Sequence, residues 1–321
     1  MKIAKILFLI ILAVLILVYL FPRKEVPDVP VSQPDLSQNK TEFKYYNFKS
    51  EYNLIVKNCK NGILSVSVYV PQNIKNKQTV RKLEYSPEPK EITFEDGNKV
   101  AHFEIKNPKK ATKIEIIGEL GVNTYDYSYA VENGEKDNLS DIKRYTLPEP
   151  LIESDDESII AKARELKGES DEETLRNIYY FVQQKMRYSA KNDTIGAKEM
   201  LKNQRGKCTD YSMLMIALCR ANGIPARIVS GVIIEPDAQN HSWVEVWFDK
   251  YGWVLFEPTV ISNKKYDFRK SPNEYMITGF NISSSVIVKL KVFSEDNRPR
   301  PDVLLALEEK TEFSETNQSV E

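Results

Sequence analysis

The chain has 321 residues, 45 Lys and Arg against 46 Asp and Glu, and a formal net charge of −1. Balanced charge without a basic, aromatic-rich stripe excludes an electrostatic case for nucleic acid. Hydrophobic residues make up 41%, enough for the cores of two ordinary domains plus tails. Three widely spaced Cys exclude a disulfide framework. Without a CxxC or a Cys/His cluster they offer no zinc site either, so no metal or cofactor is expected.

The chain opens with a short basic segment, Met1 to Lys5, followed by an unbroken apolar run from Ile6 to Phe21 that ends at Pro22-Arg23-Lys24. That length is near the ~20 residues a bilayer core requires. The run closes on Val18-Tyr19-Leu20-Phe21, which lacks the small residues of a cleavage site. Residues 1–21 therefore read as an uncleaved transmembrane signal anchor, with a cleaved signal or a buried core helix as alternatives. The very short basic tail favours an inside N-terminus, a single-pass protein in the cell membrane and an extracytoplasmic body. Residues 22–42, with four prolines among polar residues, read as an extended linker.

Residues 43–150 read as an all-β sandwich. The runs 52–56, 63–70, 101–105 and 113–117 alternate or are rich in β-branched residues, and Asn61-Gly62, Asp96-Gly97 and Asn133-Gly134 punctuate them. Cys59 and His102 fall here and read as packing or surface residues. The pattern becomes helical near residue 150, and residues 151–300 read as an α+β domain. Ser154-x-x-Glu157 and Ser170-x-x-Glu173 fit capping boxes. The second opens a helix with Leu175, Ile178, Tyr179, Val182 and Met186 on one face. A short helix is expected over 197–202, then a longer one from Cys208 to Asn222, closed by Asn222-Gly223 and Pro225. Strands are expected over 226–234, 241–248, 253–257 and 286–293. Residues 301–321 read as a polar tail, disordered from about 309.

Two residues carry chemistry. Cys208 stands where a helix begins, and His241 stands where a strand begins, which suits a Cys–His nucleophilic site assembled from distant sequence. A thiolate is the nucleophile, and free N–H groups at a helix start favour it. A neighbouring imidazolium can bring such a thiol to a pKa of about 3–4. Gly206 permits a sharp turn, and the Cys208 N–H can donate to an oxyanion. Asp210, in the first turn, reads as a stabiliser of the helix start. Cys219, eleven residues on in mid-helix, reads as core.

The order of motifs over roughly residues 155–262 resembles the transglutaminase-like superfamily, a Cys–His–Asp group with a papain-like core. The motifs are Gly206-x-Cys208-x-Asp210, Arg220-Ala221-x-Gly223-Ile224-Pro225-Ala226-Arg227, His241-x-Trp243-x-Glu245-Val246 and Gly252-Trp253-x-x-x-Glu257-Pro258-Thr259. The β-rich segment before them is similar to the N-terminal domain of many prokaryotic members. The resemblance implies an α+β core of N-terminal helices and an antiparallel sheet, preceded by the sandwich and the anchor. It implies Cys208 as nucleophile, His241 as general base and acid, and Glu257 as orienter. Glu257 departs from the family's Asp by one methylene. Tyr188 stands where members often have Tyr; a core position is expected ahead of a cleft position. Trp243, Trp247 and Trp253 read as core or cleft walls.

The hairpin register decides whether Glu257 reaches His241. A type I turn beginning at Asp249, with Gly252 fourth, pairs Asp249 with Trp253 and leaves Glu257 level with Glu245, four residues or ~13 Å from His241. A loop centred on Asp249 would instead pair His241 with Glu257 on the same faces. The triad requires something near the second register, while turn chemistry favours the first. Asp237, Glu245 and Asp249 are the competing acids.

The expected reaction is acyl transfer through a Cys208 thioester on a peptide or protein substrate. With water as acceptor the protein is a peptidase or amidase, the reading the resemblance favours. With an amine it is a cross-linker, although no acidic metal loop of the calcium-dependent kind is evident. A non-catalytic surface interaction module is the rival from another class.

Overall fold

The computed structural model describes residues 43–57, 62–75, 77–123, 139–190, 193–236, 238–260, 268, 274–282, 286–292 and 304–316. The anchor and linker expected over residues 1–42, together with Cys59 and Asp237, lie outside the described residues. Among the described residues no helix is long and apolar enough to cross a membrane.

Six strands open the described chain: β1 (Phe43–Lys57), β2 (Gly62–Tyr69), β3 (Gln78–Ser86), β4 (Glu91–Glu95), β5 (Asn98–Lys106) and β6 (Ala111–Asn123). Next come α1 (Leu139–Lys143), a 3-10 turn over Arg144–Thr146, α2 (Glu157–Glu165), α3 (Asp171–Lys185), β7 (Arg187–Tyr188), α4 (Gly196–Asn203), β8 (Arg205–Gly206) and α5 (Cys208–Ala221). The chain then runs through β9 (Ala226–Ile233), β10 (Asn240–Phe248), β11 (Gly252–Phe256), β12 (Tyr275–Phe280), β13 (Val286–Val292) and β14 (Leu304–Glu315).

Two four-stranded antiparallel sheets, ordered β14-β1-β6-β3 and β13-β2-β5-β4, form the sandwich. Alternation along β1 and β2 puts Phe48, Tyr52, Leu54, Leu64, Val66 and Val68 in one shared core. The last two strands of this sandwich come from the far end of the chain. Residues 304–315, expected within a polar tail, pair with β1 from Tyr46↔Glu315 to Lys57↔Leu304. Residues 286–292, expected in the second domain, pair with β2. The α+β unit is therefore an insertion between sandwich strands. The polar composition of β14 misled because an edge strand turns many side chains to water; among residues 306–315, Thr311 is the buried one, sharing a hydrogen bond with Ser50 Oγ at 2.9 Å.

The inserted unit is built on α5, buried from Thr209 to Arg220. It packs against a sheet ordered β11-β10-β9-β12 and is flanked by α2, α3 and α4. Val244, Val246, Val254 and Phe256 face the helices, while Trp243, Leu255, Ile277 and Phe280 form a cluster on the other face. The expected apolar stripe of α3 is buried in full. Ser170 caps α3 as expected, accepting from the Glu173 N–H at 3.2 Å. The cap of α2 is Asp156 rather than Ser154, because the helix starts at Glu157 and Asp156 Oδ1 accepts from the Ser158 N–H at 2.9 Å.

Sandwich side chains complete the edge of the second sheet. Gln78 Oε1 accepts from the Ile277 N–H at 2.8 Å and its Nε2 donates to Ile277 O at 3.0 Å. Asn98 does the same for Phe280, at 2.7 and 3.0 Å. Two buried amides thus meet backbone groups that an edge strand would leave open.

Candidate active site

The start of α5 is built around Asp210, which is fully buried. Its Oδ2 accepts from the Lys207 N–H at 2.9 Å, and its Oδ1 accepts from the Ile195 and Gly196 N–H groups at 2.8 and 3.2 Å. The carboxylate meets one orphan donor of its own helix and two at the start of α4, so the structural role read for Asp210 is the one its contacts describe. Gly206 is required by close approach. A Cβ there would sit 2.7 Å from Asp210 Cβ and 2.8 Å from Met200 Sδ. This packing presents Cys208, half-buried, at the first position of α5.

Hydrogen bonds tie α5 to β10 beside the thiol. Thr209 Oγ1 and Ser242 Oγ share one at 3.2 Å, and Ser212 Oγ donates to Ser242 O at 3.1 Å. His241, the second residue of β10, is buried beside the Trp243 ring at a centroid distance of 5.0 Å. Its Nε2 lies 2.6 Å from Glu257 Oε2. The ring also hydrogen-bonds the Cys208 thiol, which leaves Nδ1 as the nitrogen facing sulfur. The structure therefore brings Cys208, His241 and Glu257 into one chain of contacts.

Both expected hairpin registers are corrected. Trp247 pairs with Trp253, and Phe248 with Gly252, halfway between the two. The turn begins at Phe248, one residue earlier than expected, and is closed by the Tyr251 N–H to Phe248 O at 3.1 Å. Gly252 follows it with φ +74°, a left-handed conformation that costs glycine least. Continued along the strands, this register sets Glu257 level with Trp243, two residues from His241 on the same face. Such diagonal neighbours are ~7–8 Å apart at the backbone, within reach of long side chains. Glutamate's extra methylene suits that diagonal.

Glu257 is itself held on three sides. Its Oε1 accepts from the Thr259 N–H at 2.8 Å, and its backbone O accepts from Gln183 Nε2 at 3.2 Å. Gln183, buried in α3, also donates to Tyr179 Oη at 2.8 Å. Sequence reasoning missed Gln183. The signal available was a polar residue beside the apolar stripe of a buried helix.

The competing acids are committed elsewhere. Glu245, fully buried, binds Lys77 Nζ at 2.5 Å and Arg227 Nη2 at 2.7 Å, and Lys77 also donates to Trp253 O at 2.8 Å. Burial alone would push its carboxyl up, but the two cations hold it below the usual range. Asp249 accepts from Trp247 Nε1 at 3.0 Å, as a turn residue.

Electrostatics favour an ion pair at the site. Burial alone would push the Cys208 thiol up. The hydrogen bond and positive charge of His241, with the Ser242 backbone N–H, bring it below its ordinary value. Burial likewise presses the imidazole down, but the Glu257 charge and the Cys208 and Glu257 hydrogen bonds raise it to about 10. Cys219 is the contrast, a fully buried thiol pushed up by burial. Tyr188 is not core: its side chain is 38% exposed, and burial and the Cys208 charge both raise its phenol, placing it beside the sulfur. Trp243 is core, its ring tilted against Tyr275 at a centroid distance of 4.2 Å. Trp253 packs against Trp247 and under Arg227. His102 stays on the sandwich surface, bonded to Ser67, Thr93 and Glu95. Among the described residues no cluster of His, Cys, Asp or Glu is arranged to hold a metal ion.

Residues 160–258 match the profile of the transglutaminase-like superfamily and form a transglutaminase-like domain. Over 85 residues, 22% of this chain, the sequence is 40% identical to YebA, an uncharacterized protein of Bacillus subtilis. Over 65 residues it is 34% identical to a protein-glutamine gamma-glutamyltransferase of Pseudomonas aeruginosa. The chain spans 12% and 10% of the lengths of those two relatives. The crystal structure of a candidate cysteine protease from Cytophaga hutchinsonii shares the fold, with a TM-score of 0.63 at 14% identity, covering 87% of this chain and 93% of that one.

Proposed function

We propose that the transglutaminase-like domain of this chain is a cysteine-dependent acyl-transfer enzyme that hydrolyses peptide or amide bonds. The observation that carries the reading is the buried 2.6 Å contact of His241 with Glu257 on a ring that also bonds Cys208. In this reading the Cys208 thiolate attacks the substrate carbonyl carbon and a C–S bond forms. The oxyanion that develops is met by the Cys208 N–H, which has no carbonyl partner in the first turn of α5. The exposed Tyr188 hydroxyl stands beside it as a further donor. Imidazolium His241 gives its proton to the leaving nitrogen as the C–N bond breaks, leaving a thioester. Water then attacks the thioester while His241 takes its proton. Release of the carboxylic acid restores the thiolate–imidazolium pair. Glu257 holds the ring orientation and stabilises its positive charge without taking a proton.

The N-terminal apolar run supports a single-pass anchor with an extracytoplasmic body. The name of the Pseudomonas aeruginosa relative supports a second reading, in which an amine replaces water as acceptor. Labelling of intact protein with a thiol-reactive peptide probe tests the reaction class. Cys208 should be modified near neutral pH, and Cys208→Ser should abolish the modification. No preferential labelling of Cys208 would sink the enzyme reading and leave the interaction-module reading. Incorporation of a fluorescent primary amine into an added protein would decide for transfer over hydrolysis.

A further inference from the structure

We propose that this site selects acyl donors carrying carboxylates beside the scissile carbonyl, that is acidic peptides, through a cationic wall formed by Arg187, Arg205 and Lys207. The proposal rests on the acyl-transfer reading of Cys208. It begins from charge asymmetry. The whole chain has a net charge of −1, yet residues 185–208 hold seven Lys and Arg against Asp193 and Glu199 alone, a local excess of +5 ending at the nucleophile. Lys198 and Lys202 are paired, with Asp156 and Glu199. Arg187, Arg205 and Lys207 make no ion pair among the described residues.

Placement makes this excess specific to the site. β7 and β8 form a two-stranded parallel ribbon in which Arg187 stands directly opposite Arg205, and Tyr188 opposite Gly206. Like charges at facing positions oppose pairing. Backbone bonds nevertheless hold the register, from the Arg187 N–H to Gln204 O and from the Ser189 N–H to Gly206 O, both at 2.9 Å. The ribbon cannot retreat from the nucleophile, because Gly206 is packed onto Asp210 and Met200. Tyr188 lies beside the sulfur and pairs with Gly206, so alternation turns the exposed Arg187 and Arg205 to the solvent face of the ribbon, one residue from the cleft. Arg205 is three residues ahead of Cys208, ~10 Å of extended chain, comparable with the ~8 Å screening length at physiological salt.

The acids nearest the thiol offset only part of this field. Asp210 is taken up by three backbone N–H groups, and Glu257 by His241 and Thr259. Arg187, Arg205 and Lys207 outweigh the charge left by Asp210 and by the Cys208–His241–Glu257 group, so the approach to the site is positive and an anionic chain is steered to it.

Alkylation of Cys208 tests this without a known substrate. The Cys208 thiolate displaces iodide from iodoacetate and iodoacetamide alike, and the two reagents differ in charge. The ratio of their rates at Cys208 should fall about threefold in Arg187→Gln or Arg205→Gln, and about tenfold in the double variant. The same ratio should fall as salt rises from about 0.05 to about 0.5 M, by screening. A hexaglutamate peptide should protect Cys208 from iodoacetamide where hexaserine does not. Ratios unchanged in both variants, or equal protection by the two peptides, would overturn the cationic wall while leaving the acyl-transfer reading in place. A Cys208 that reacts no faster than buried Cys219 with either reagent would instead refute the acyl-transfer reading, and this proposal with it.

Discussion

Glu257→Gln is the sharpest perturbation available, because it removes the charge and one acceptor oxygen while keeping the size of the side chain. The amide keeps the side chain's length, so it can still span the diagonal from β11 to His241. The backbone contact with Gln183 survives, but the amide has a single acceptor oxygen for the two donors that Oε1 and Oε2 meet, the Thr259 N–H and the His241 ring, so it presents an NH2 group to one of them. What is lost is the negative charge 2.6 Å from the imidazole. Returning His241 from about 10 to its ordinary 6.5 corresponds to about 5 kcal/mol. The Cys208 thiolate shares in that stabilisation, so Glu257 accounts for more than half, about 3–4 kcal/mol, and turnover should drop ~10²–10³-fold. The alkaline limb of kcat/KM should move down from near 10 toward neutral pH, since the Cys208 thiolate alone then offsets the burial that disfavours imidazolium. Glu257→Asp keeps the charge but shortens the chain by ~1.5 Å, enough to open a 2.6 Å contact past hydrogen-bond length, and should be impaired as well. The assay is turnover against pH, with iodoacetamide labelling of Cys208 as a substrate-independent readout. A Glu257→Gln protein with wild-type turnover and an unmoved alkaline limb would show that another group orients His241.

In the wild-type protein, kcat/KM against pH should be bell-shaped. The thiolate is lost as pH falls through the lowered Cys208 pKa, and the imidazolium is lost as pH rises through about 10. An alkaline limb at 6–7 would contradict the ion pair. Asp210→Ala leaves three N–H groups unmet, each costing about 1–3 kcal/mol, and should lower the melting temperature by more than about 10 °C or prevent folding. Asp210→Asn, which can still accept at Oδ1, should be milder, and equal melting of Asp210→Ala and wild type would remove the capping role. Truncation after Val303 removes β14, opens the β1 edge and takes Phe313 off Tyr46 and Phe48. Calorimetry should show a loss of roughly 3–5 kcal/mol and light scattering should show self-association; a monomer with unchanged melting would mean that β14 is dispensable.

Much of this protein is legible locally. The cap at Ser170, the stripe of α3 and the Asn222-Gly223 stop of α5 each depend on residues within one or two turns, so backbone sterics and side-chain periodicity specify them without the rest of the fold. The position of Cys208 at a helix start and His241 at a strand start is local in the same sense. The contact between them, and the reach of Glu257, depend on register, and register turned on one glycine: Gly252, at φ +74°, moved the turn by a residue and set the diagonal. Gln183, Lys77 and Arg227 were invisible as partners because each meets its acceptor across long stretches of chain. Strands β13 and β14 were misplaced for the same reason. A strand that turns a polar face to water reads like a tail until its partner is known, and its pairing with β1 spans the length of the molecule. Sequence determined the elements and the identity of the reactive groups, because those follow from short-range sterics and chemistry. Tertiary structure alone decided the hairpin register that lets Glu257 reach the imidazole, because it turned on the conformation of the turn, and also which polar groups buttress the pair and which strands close the sandwich, because those partners are far apart in the chain.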